Sequence, residues 1–418
     1  MIDYLYAITL IAESQQLPRS IIAWNAYASK LLDERKATPF DKFLEFSVDL
    51  LVNDRFHKKN SLSWYHRKSK FNFFLDTNFL VVYNKGELIG ASRKDSSVIT
   101  DTKGVFNYEL KRWDGESGRL SWSRFGEEAA KELYADVTEY TIDVSQPSYE
   151  IDSATLYYSR FFTNPVIGKL TERISSSPPN SKSSFPRFVA YFDEFELYNI
   201  YPEVSFFGGA ELEGLELYGT GGERSKAMIK LTKSDSLYAM IKAERFRLDA
   251  DGFISSDAEF IFYFDTDSLY HPSLKVNYKN EERQFVMYTD FKGSSSTPFF
   301  DSYHVLDIYV EALFWKMNEP ELVFKRIRNV KGRNLAQFVS SNYFSQKDFY
   351  RVQGIDELNP FYVIDNYLNQ YGESEIKLNA LASFMSKPKD QVSALLIDLS
   401  NKGFLVYPVA IVCIRLKL

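Results

Sequence analysis

Ala227–Leu248 reads AMIKLTKSDSLYAMIKAERFRL, and Glu259–Asn280 reads EFIFYFDTDSLYHPSLKVNYKN. The tetrad Asp235-Ser236-Leu237-Tyr238 returns as Asp267-Ser268-Leu269-Tyr270, at an offset of 32 residues. In both copies an apolar run precedes the tetrad and an alternating run follows it. Asp and Ser side chains bond nearby backbone N–H groups, which makes the pair turn chemistry. Alternation is the period of a strand with one buried and one wet face. Ala210–Tyr218 and Gln284–Thr289 extend the pattern on either side, with Gly219-Thr220-Gly221-Gly222 and Asp249-Ala250-Asp251-Gly252 as turns. Short strands at this regular spacing predict an antiparallel meander, sandwich or barrel-like sheet. Two matching units are too few for a solenoid.

The same stretch supports a second reading. Asp265-Thr266-Asp267-Ser268, between two apolar strands, resembles the aspartate pair of family B polymerases, and that resemblance implies two bound metal ions. Such a site needs carboxylates from separate strands brought within about 4 Å. The first copy keeps the turn but lacks the first acid, and no motif for template or nucleotide accompanies the second, so a turn is favoured. Asp265, Asp267, Asp290 and Asp301 are the acids a metal-dependent hydrolase would use, and all have the character of strand-end residues.

A chain of 418 residues predicts two or three domains. Its 35 Phe and 28 Tyr favour strands. The net charge is −6 with both signs well mixed, which argues against a dominant nucleic-acid surface. Cys413 is the one cysteine, so there is no disulfide framework and no cysteine metal cluster. His57, His66, His271 and His304 lack the spacing of a zinc site. No cofactor and no catalytic set is expected. No run reaches the roughly 18 apolar residues of a membrane helix. Tyr4–Ala12 is apolar, but no basic residue precedes it and no cleavage pattern follows, so no export signal is read.

In chain order, residues 1–70 predict a helical N-terminal region. Pro18 opens a helix with Ile21, Ile22, Trp24, Ala28, Leu31 and Leu32 on a broad face. Thr38-Pro39 caps another that carries Phe40, Phe43, Leu44, Val48 and Leu51. His57–Lys70 interleaves basic and aromatic residues, as a nucleic-acid strip does; a solvated linker with one or two packed aromatics is the simpler reading. Residues 71–174 predict a first β-rich region. It has one hairpin turning at Asn84-Lys85-Gly86 and another at Asp114–Gly118, a short helix over Glu127–Leu133, a strand over Ala154–Phe162 and a helix over Val166–Ile174. Trp113 and Trp122 flank the second hairpin and cover a sheet face, with an exposed aromatic platform for carbohydrate as the rival reading. Residues 175–186 form a Ser/Pro linker or loop, and 187–302 the central antiparallel region. Residues 303–359 form a mixed connector with helices over Tyr303–Trp315 and Leu335–Asn342 and a strand over Glu321–Ile327.

Residues 360–418 carry the order helix, strand, two helices, two strands, which resembles a winged helix. The helices are Phe361–Gln370, Leu378–Met385 and Asp390–Asn401, the last with Val392, Leu395, Leu396 and Leu399 inward and Gly403 as its cap. In winged helices the third helix often reads DNA. Here its approach and outer face offer Lys387, Lys389, Gln391 and Ser393, but also Asp390 and Asp398, whereas groove-reading helices present Arg, Lys, Asn or Gln. A protein contact is favoured over DNA.

Gly118–Val144, Ser153–Leu170, Ser268–Asp290 and Ser296–Trp315 are similar to parts of very large, β-rich exported proteins of Gram-negative bacteria, over half to two-thirds of the chain. That family brings no activity and no catalytic residues. The resemblance implies a cell-envelope or periplasmic setting and a piece of a longer chain, and the apolar run Val409–Leu418 agrees with the latter. The class expected is therefore α+β: a helical N-terminal segment, an antiparallel β-rich middle with meander or repeat character, and a C-terminal winged-helix-like module. The function expected is a non-enzymatic structural or binding scaffold whose partner is a protein or the rest of a longer chain. A winged-helix regulator that binds nucleic acid is the alternative.

Overall fold

The computed structural model describes residues 2–14, 16–34, 37–180, 183–222, 225–234, 236–289, 297–325, 336–341, 346–353, 358–371, 375–401, 405–406 and 413–416. Antiparallel strands dominate, with helices at the N-terminus and again near the C-terminus. Two compact units divide the chain, one of residues 1–195 and 209–218, the other of 196–208 and 219–418.

The first unit opens with α1 (Ile2–Glu13), α2 (Pro18–Asp33) and α3 (Ala37–Asn53). Proline at the first turn of α2 costs nothing, because that N–H has no partner in a helix. The buried stripe of α2 is Ser20, Trp24, Tyr27, Ala28 and Leu31, while Ile21, Ile22 and Leu32 stay exposed. The apolar face is thus narrower and rotated relative to the expected one. α3 buries Phe43, Leu44, Ser47 and Leu50. Polar atoms lock the pair. The Trp24 indole donates to Ser47 Oγ at 2.8 Å, and Ser47 Oγ donates to the Phe43 carbonyl at 2.7 Å. Phe43 packs edge-on against Phe79 and Tyr108, and Tyr27 meets Tyr108 edge-on and Phe79 at a tilt, which seats the helices on the sheet.

That sheet comprises β1 (Arg55–Lys59), β2 (Leu62–Arg67), β3 (Phe71–Leu75), β4 (Phe79–Ala91), β5 (Ser96–Asn107), β6 (Arg112–Ser121), β7 (Leu133–Asp143), β8 (Ser148–Tyr158), β9 (Val166–Arg173) and β10 (Arg187–Ala190). A one-turn helix, α4 (Glu127–Glu132), precedes β7. From β4 to β10 each strand pairs antiparallel with the next. β4 also pairs with β3 along one half and with β2 along the other. The meander curls. Trp64 on β2 reaches Tyr149 on β8, and Ser97 on β5 bonds Tyr149 and Glu172, so one face closes around an aromatic interior.

Several sequence expectations fail here for definable reasons. His57–Lys70 is not a linker but the hairpin of β1 and β2, with Trp64 and His66 buried. Asn84-Lys85-Gly86 is no turn, because β4 runs through it with a register shift. Gly86 is there because an added Cβ would lie 2.5 Å from Ser69 Cβ and 2.6 Å from the Arg67 carbonyl. The second hairpin turns at Tyr108–Lys111, closed by Leu110 N–H on Asn107 Oδ1 at 3.0 Å, and Asp114–Gly118 lies inside β6. Val166–Arg173 is a strand, not a helix: its burial alternates strictly, with Val166, Gly168, Leu170 and Glu172 inward.

The second unit holds all but the first residue of β11 (Phe195–Tyr201), residues 204–208 of the strand β12 (Val204–Glu213) and the last two residues of β13 (Glu216–Thr220), and then β14 (Ala227–Lys233), β15 (Ser236–Ala243), β16 (Arg245–Leu248), β17 (Gly252–Phe264), β18 (Asp267–Lys279) and β19 (Gln284–Tyr288). β20 (Phe299–Asp301), β21 (Leu306–Tyr309), β22 (Ala312–Lys316), β23 (Leu322–Lys325) and β24 (Gln337–Ser340) complete it. β14, β15, β17, β18, β19, β22 and β23 pair in succession. The end of β18 also starts a branch through β20 and β21 to β24. The helices expected over Tyr303–Trp315 and Leu335–Asn342 are strands where described: the segment 303–315 holds β21 and β22, and β24 occupies the second.

The repeated tetrad follows a hairpin corner in both copies, though the corners are not its own Asp-Ser. Lys233 faces Ser236 and Phe264 faces Asp267, so two residues turn each hairpin. Ser234 and Asp265 take the left-handed conformation there, with φ of 48° and 54°; Asp235 lies outside the described residues. The corners are therefore 31 residues apart. One extra residue in β15, where Leu231 faces Ala239 but Thr232 faces Leu237, makes register-equivalent positions 30 apart beyond the bulge, so residues 32 apart fall on the same face. Tyr238 and Tyr270 are then both half-buried and Ala239 and His271 both buried.

Residues 346–416 of the same unit contain α5 (Gln346–Gln353), α6 (Pro360–Tyr371), β25 (Glu375–Lys377), α7 (Leu378–Phe384), α8 (Lys389–Asn401), β26 (Leu405–Val406) and β27 (Cys413–Leu416). β27 pairs antiparallel with both β25 and β26. Ile364, Tyr367, Leu381, Val392, Leu396, Leu399 and Leu405 form a hydrophobic cluster of their own. Gly403, Asp290, and Phe404 and Tyr407 at the ends of an expected strand lie outside the described residues.

Candidate functional site

A groove of about 520 Å³ lies on the second unit. Its floor follows from strand register. Ile261 on β17 faces Tyr270 on β18, which faces Phe300 on β20, and side chains directly opposite in adjacent strands share a face. The next row is Tyr263, Ser268 and Ser302. Tyr270 and Phe300 stack with rings 6.1 Å apart and 22° from parallel. Val305 and Ser341 close one wall.

Three of the acids singled out by sequence surround this end of the sheet, and the structure gives each a turn-stabilising role. Asp265 is the corner residue of the β17–β18 hairpin. Asp267 accepts the Ser302 hydroxyl at 2.8 Å, while Ser302 Oγ accepts the Ser268 N–H at 2.8 Å. Asp301 accepts the His304 backbone N–H at 3.0 Å and sits 2.7 Å from His304 Nδ1. Among the described residues no group of three His, Cys, Asp or Glu could hold a metal ion.

The most desolvated charges lie in the first unit. Arg124, on a single 3₁₀ turn (Ser123–Phe125), is inserted between Asp95 and Glu172 at 3.3 and 2.8 Å, and the three side chains are 8%, 2% and 1% exposed. Asp95 also accepts the N–H groups of Ser96 and Ser175. Glu172 accepts Ser97 Oγ and the Arg173 N–H, and Ser97 Oγ lies 2.8 Å from the Tyr149 hydroxyl. Burial drives the Glu172 carboxyl from 4.5 up to about 7, with Arg124 pulling the other way. The cluster ties the exit of β9, where Ser92 Oγ also bonds the Ser175 carbonyl, to the connection between β4 and β5. It is a seam inside the sheet, with all three side chains at most 8% exposed. Sequence alone offered no signal for it, because Asp95, Arg124 and Glu172 share no spacing.

The six residues read from sequence as interaction candidates are not brought together. Trp113 and Trp122 are fully buried. Trp113 stacks on His66 and Phe56, and the Trp122 indole donates to the Gly214 carbonyl at 2.7 Å. Neither ring face is available to a surface ligand, which overturns the platform reading. Lys387, Lys389, Gln391 and Ser393 cluster at the start of α8, with Lys389 and Gln391 exposed. His66 and His271 are buried and His57 is half-buried, and desolvation pushes His57, His66 and His271 down to about 4, 4 and 3, so all three are neutral near pH 7. His271 is fixed by its Nε2 against the Thr297 carbonyl and by its Nδ1, which accepts the Ser273 N–H.

No family model matches the chain, and no curated protein or solved structure matches it either.

Proposed function

We propose that the chain is a non-catalytic β scaffold with a binding groove on its second unit, working within a larger envelope-associated β-rich protein. The observation behind the non-catalytic reading is where the acids' hydrogen bonds go. Asp267 accepts the Ser302 hydroxyl from the turn after β20, and Asp301 accepts the His304 N–H of its own turn, whereas a catalytic pair faces a shared space for substrate or metal. Asp267→Asn and Asp301→Asn are expected to lower thermal stability by about 1 kcal/mol each and to leave any ester, glycoside or phosphodiester hydrolysis at the parent level. Loss of a measurable metal-dependent hydrolysis in either variant would overturn the scaffold. The envelope setting rests on the resemblance of Gly118–Val144 and Ser153–Leu170 to large exported proteins. An antibody to residues 203–291 should then mark the envelope fraction of source cells, and a soluble band alone would remove that part.

A second reading has its own observation. The order of α6, β25, α7, α8, β26 and β27, with β27 between the other two strands, resembles a winged helix with α8 in the recognition position. The exposed residues of α8 include Asp390 and Asp398 beside Lys389 and Gln391, so this module is read as a protein-contact element. The expected result is no DNA binding at about 50 mM salt. DNA binding that weakens steeply with salt, with a slope reduced by about one for each of Lys387→Ala and Lys389→Ala, would establish the nucleic-acid reading instead.

A further inference from the structure

We infer that another cavity of the second unit binds a zwitterion by its trimethylammonium group, as a betaine or a phosphocholine carries it, with Tyr238, Phe262, Phe264 and Trp315 as the cage and Lys233 as the contact for the anion. This cavity has a different lining from the groove over β17, β18 and β20, and the inference goes beyond the scaffold reading.

Strand register builds the cage. β14 and β15 turn between Lys233 and Ser236, and Tyr238 follows that corner. The ladder of β15 with β17 runs out at Ala239 opposite Phe262, so Phe264 extends past it and is 38% exposed. Trp315 comes from β22, opposite Phe285 of β19. Tyr238 and Phe262 stand at 70° to each other, and each stands at 85° to Trp315, with centroids 5.0–6.1 Å apart. Three mutually steep planes make the corner of a box. Phe285 lies flat on one face of Trp315, at 17°. No described ring lies flat on Tyr238 or Phe262, since Phe264 meets Phe262 at 46°. These residues bound a cavity of about 190 Å³.

The lining selects the ligand. The volume is below the range of about 300–1,000 Å³ for drug-sized molecules, so the site suits a compact head group. Aromatic faces are electron-rich and attract cations. An ordinary ammonium would give up N–H hydrogen bonds to water, and ring faces replace them poorly. A trimethylammonium has no N–H to strand and presents C–H groups to every wall. A neutral apolar group would use the rings but neither charge at the rim. Those charges are Lys233, which is exposed, and Glu319, which Lys316 engages at 3.0 Å. Lys233 repels a ligand that is only a cation. An anion a few bonds from the ammonium turns the same charge into a contact.

The test is titration calorimetry of the full chain with phosphocholine, glycine betaine, choline and the neutral carbon isostere of choline, in which a tert-butyl group replaces the trimethylammonium. Both zwitterions are expected to bind more tightly than choline, and choline about tenfold more tightly than its isostere. Phe264→Ala should weaken phosphocholine by about tenfold. Lys233→Glu should weaken both zwitterions and not choline. Both positions are exposed, so the variants should keep the parental Tm. No binding of either zwitterion, equal affinity for choline and its isostere, or unchanged zwitterion binding in either variant would overturn the assignment. Vesicle flotation separates the sources. Flotation with phosphatidylcholine but not phosphatidylglycerol supports a lipid head group, and binding of soluble zwitterions without flotation supports a free solute. Flotation with phosphatidylglycerol alone would overturn the site. Hydrolysis of the bound phosphocholine would leave the site standing and refute the non-catalytic scaffold, so the two failures are distinguishable.

Discussion

Arg124→Ala is expected to lower the unfolding free energy of the first unit by about 3–5 kcal/mol, because it strands two carboxylates in a place that water does not reach. Asp95 and Glu172 are almost wholly buried and share this one guanidinium. Surface pairs such as Lys131–Glu128 and Lys85–Asp101 are worth about 0–1 kcal/mol at most, so the contrast is large. With domain stabilities of about 5–15 kcal/mol, the variant should be partly unfolded at 37 °C. Urea denaturation followed by circular dichroism measures it. A loss under about 1 kcal/mol would mean that solvent reaches the cluster and that the seam is not closed as described.

The pH dependence of the same cluster has a definite sign. Burial raises Glu172 from 4.5 to about 7 in the folded protein, so between those values the native state holds a proton that the unfolded chain has released. Stability from this group is complete below about pH 4.5 and is lost as pH rises through about 7. The groups facing Glu172 are Arg124, Ser97, Tyr149 and Asp95. With all three ionised the cluster has one negative charge in excess. Glu172→Gln removes that excess while keeping the shape, so it is expected to raise Tm at pH 8 and to change little at pH 5. A parent and variant with parallel Tm profiles from pH 5 to 8 would refute the role of Glu172.

The second large effect is at Trp113. Trp113→Ala is expected to cost about 3–5 kcal/mol, the range for removing a large buried aromatic. The ring sits between Phe56, His66 and Tyr83 at centroid distances of 5.8, 5.2 and 5.5 Å. Two neighbouring strands have made room for it. A Cβ at Gly104 would lie 2.7 Å from its Cζ2, and one at Gly115 would lie 2.7 Å from its Nε1 and 2.2 Å from Tyr140 Cζ. Those glycines stop the space from being filled by any nearby side chain, so the cavity left by alanine cannot easily collapse. Chemical denaturation at pH 7 reads the loss. A variant that keeps parental stability would reinstate Trp113 as a candidate surface platform.

What was legible in the chain was whatever depends on near neighbours. The three N-terminal helices, the β17–β18 hairpin and the element order of residues 360–416 follow from periodicity, proline placement and turn chemistry. Glycines misled: Gly86 and Gly115 look like turn residues, yet both lie inside strands, where they admit a neighbour that would otherwise clash. Val166–Arg173 misled because a leading proline outweighed its period of two. Tyr303–Lys316 misled because apolar residues at mixed spacing fit a helix face as readily as two short strands joined by a tight connection.

The sequence by itself determined that this is an antiparallel, aromatic-rich β protein with helical ends, since period and turn residues act over a few positions and need no partner. Only the tertiary structure decided which side chains are buried and what meets what. It placed both candidate tryptophans in the core and turned three scattered residues, Asp95, Arg124 and Glu172, into one buried charge cluster. It also set Tyr270 on Phe300 at the floor of a groove. Each of these depends on strand register and sheet curl, which bring together residues tens of positions apart, and no local pattern encodes that distance.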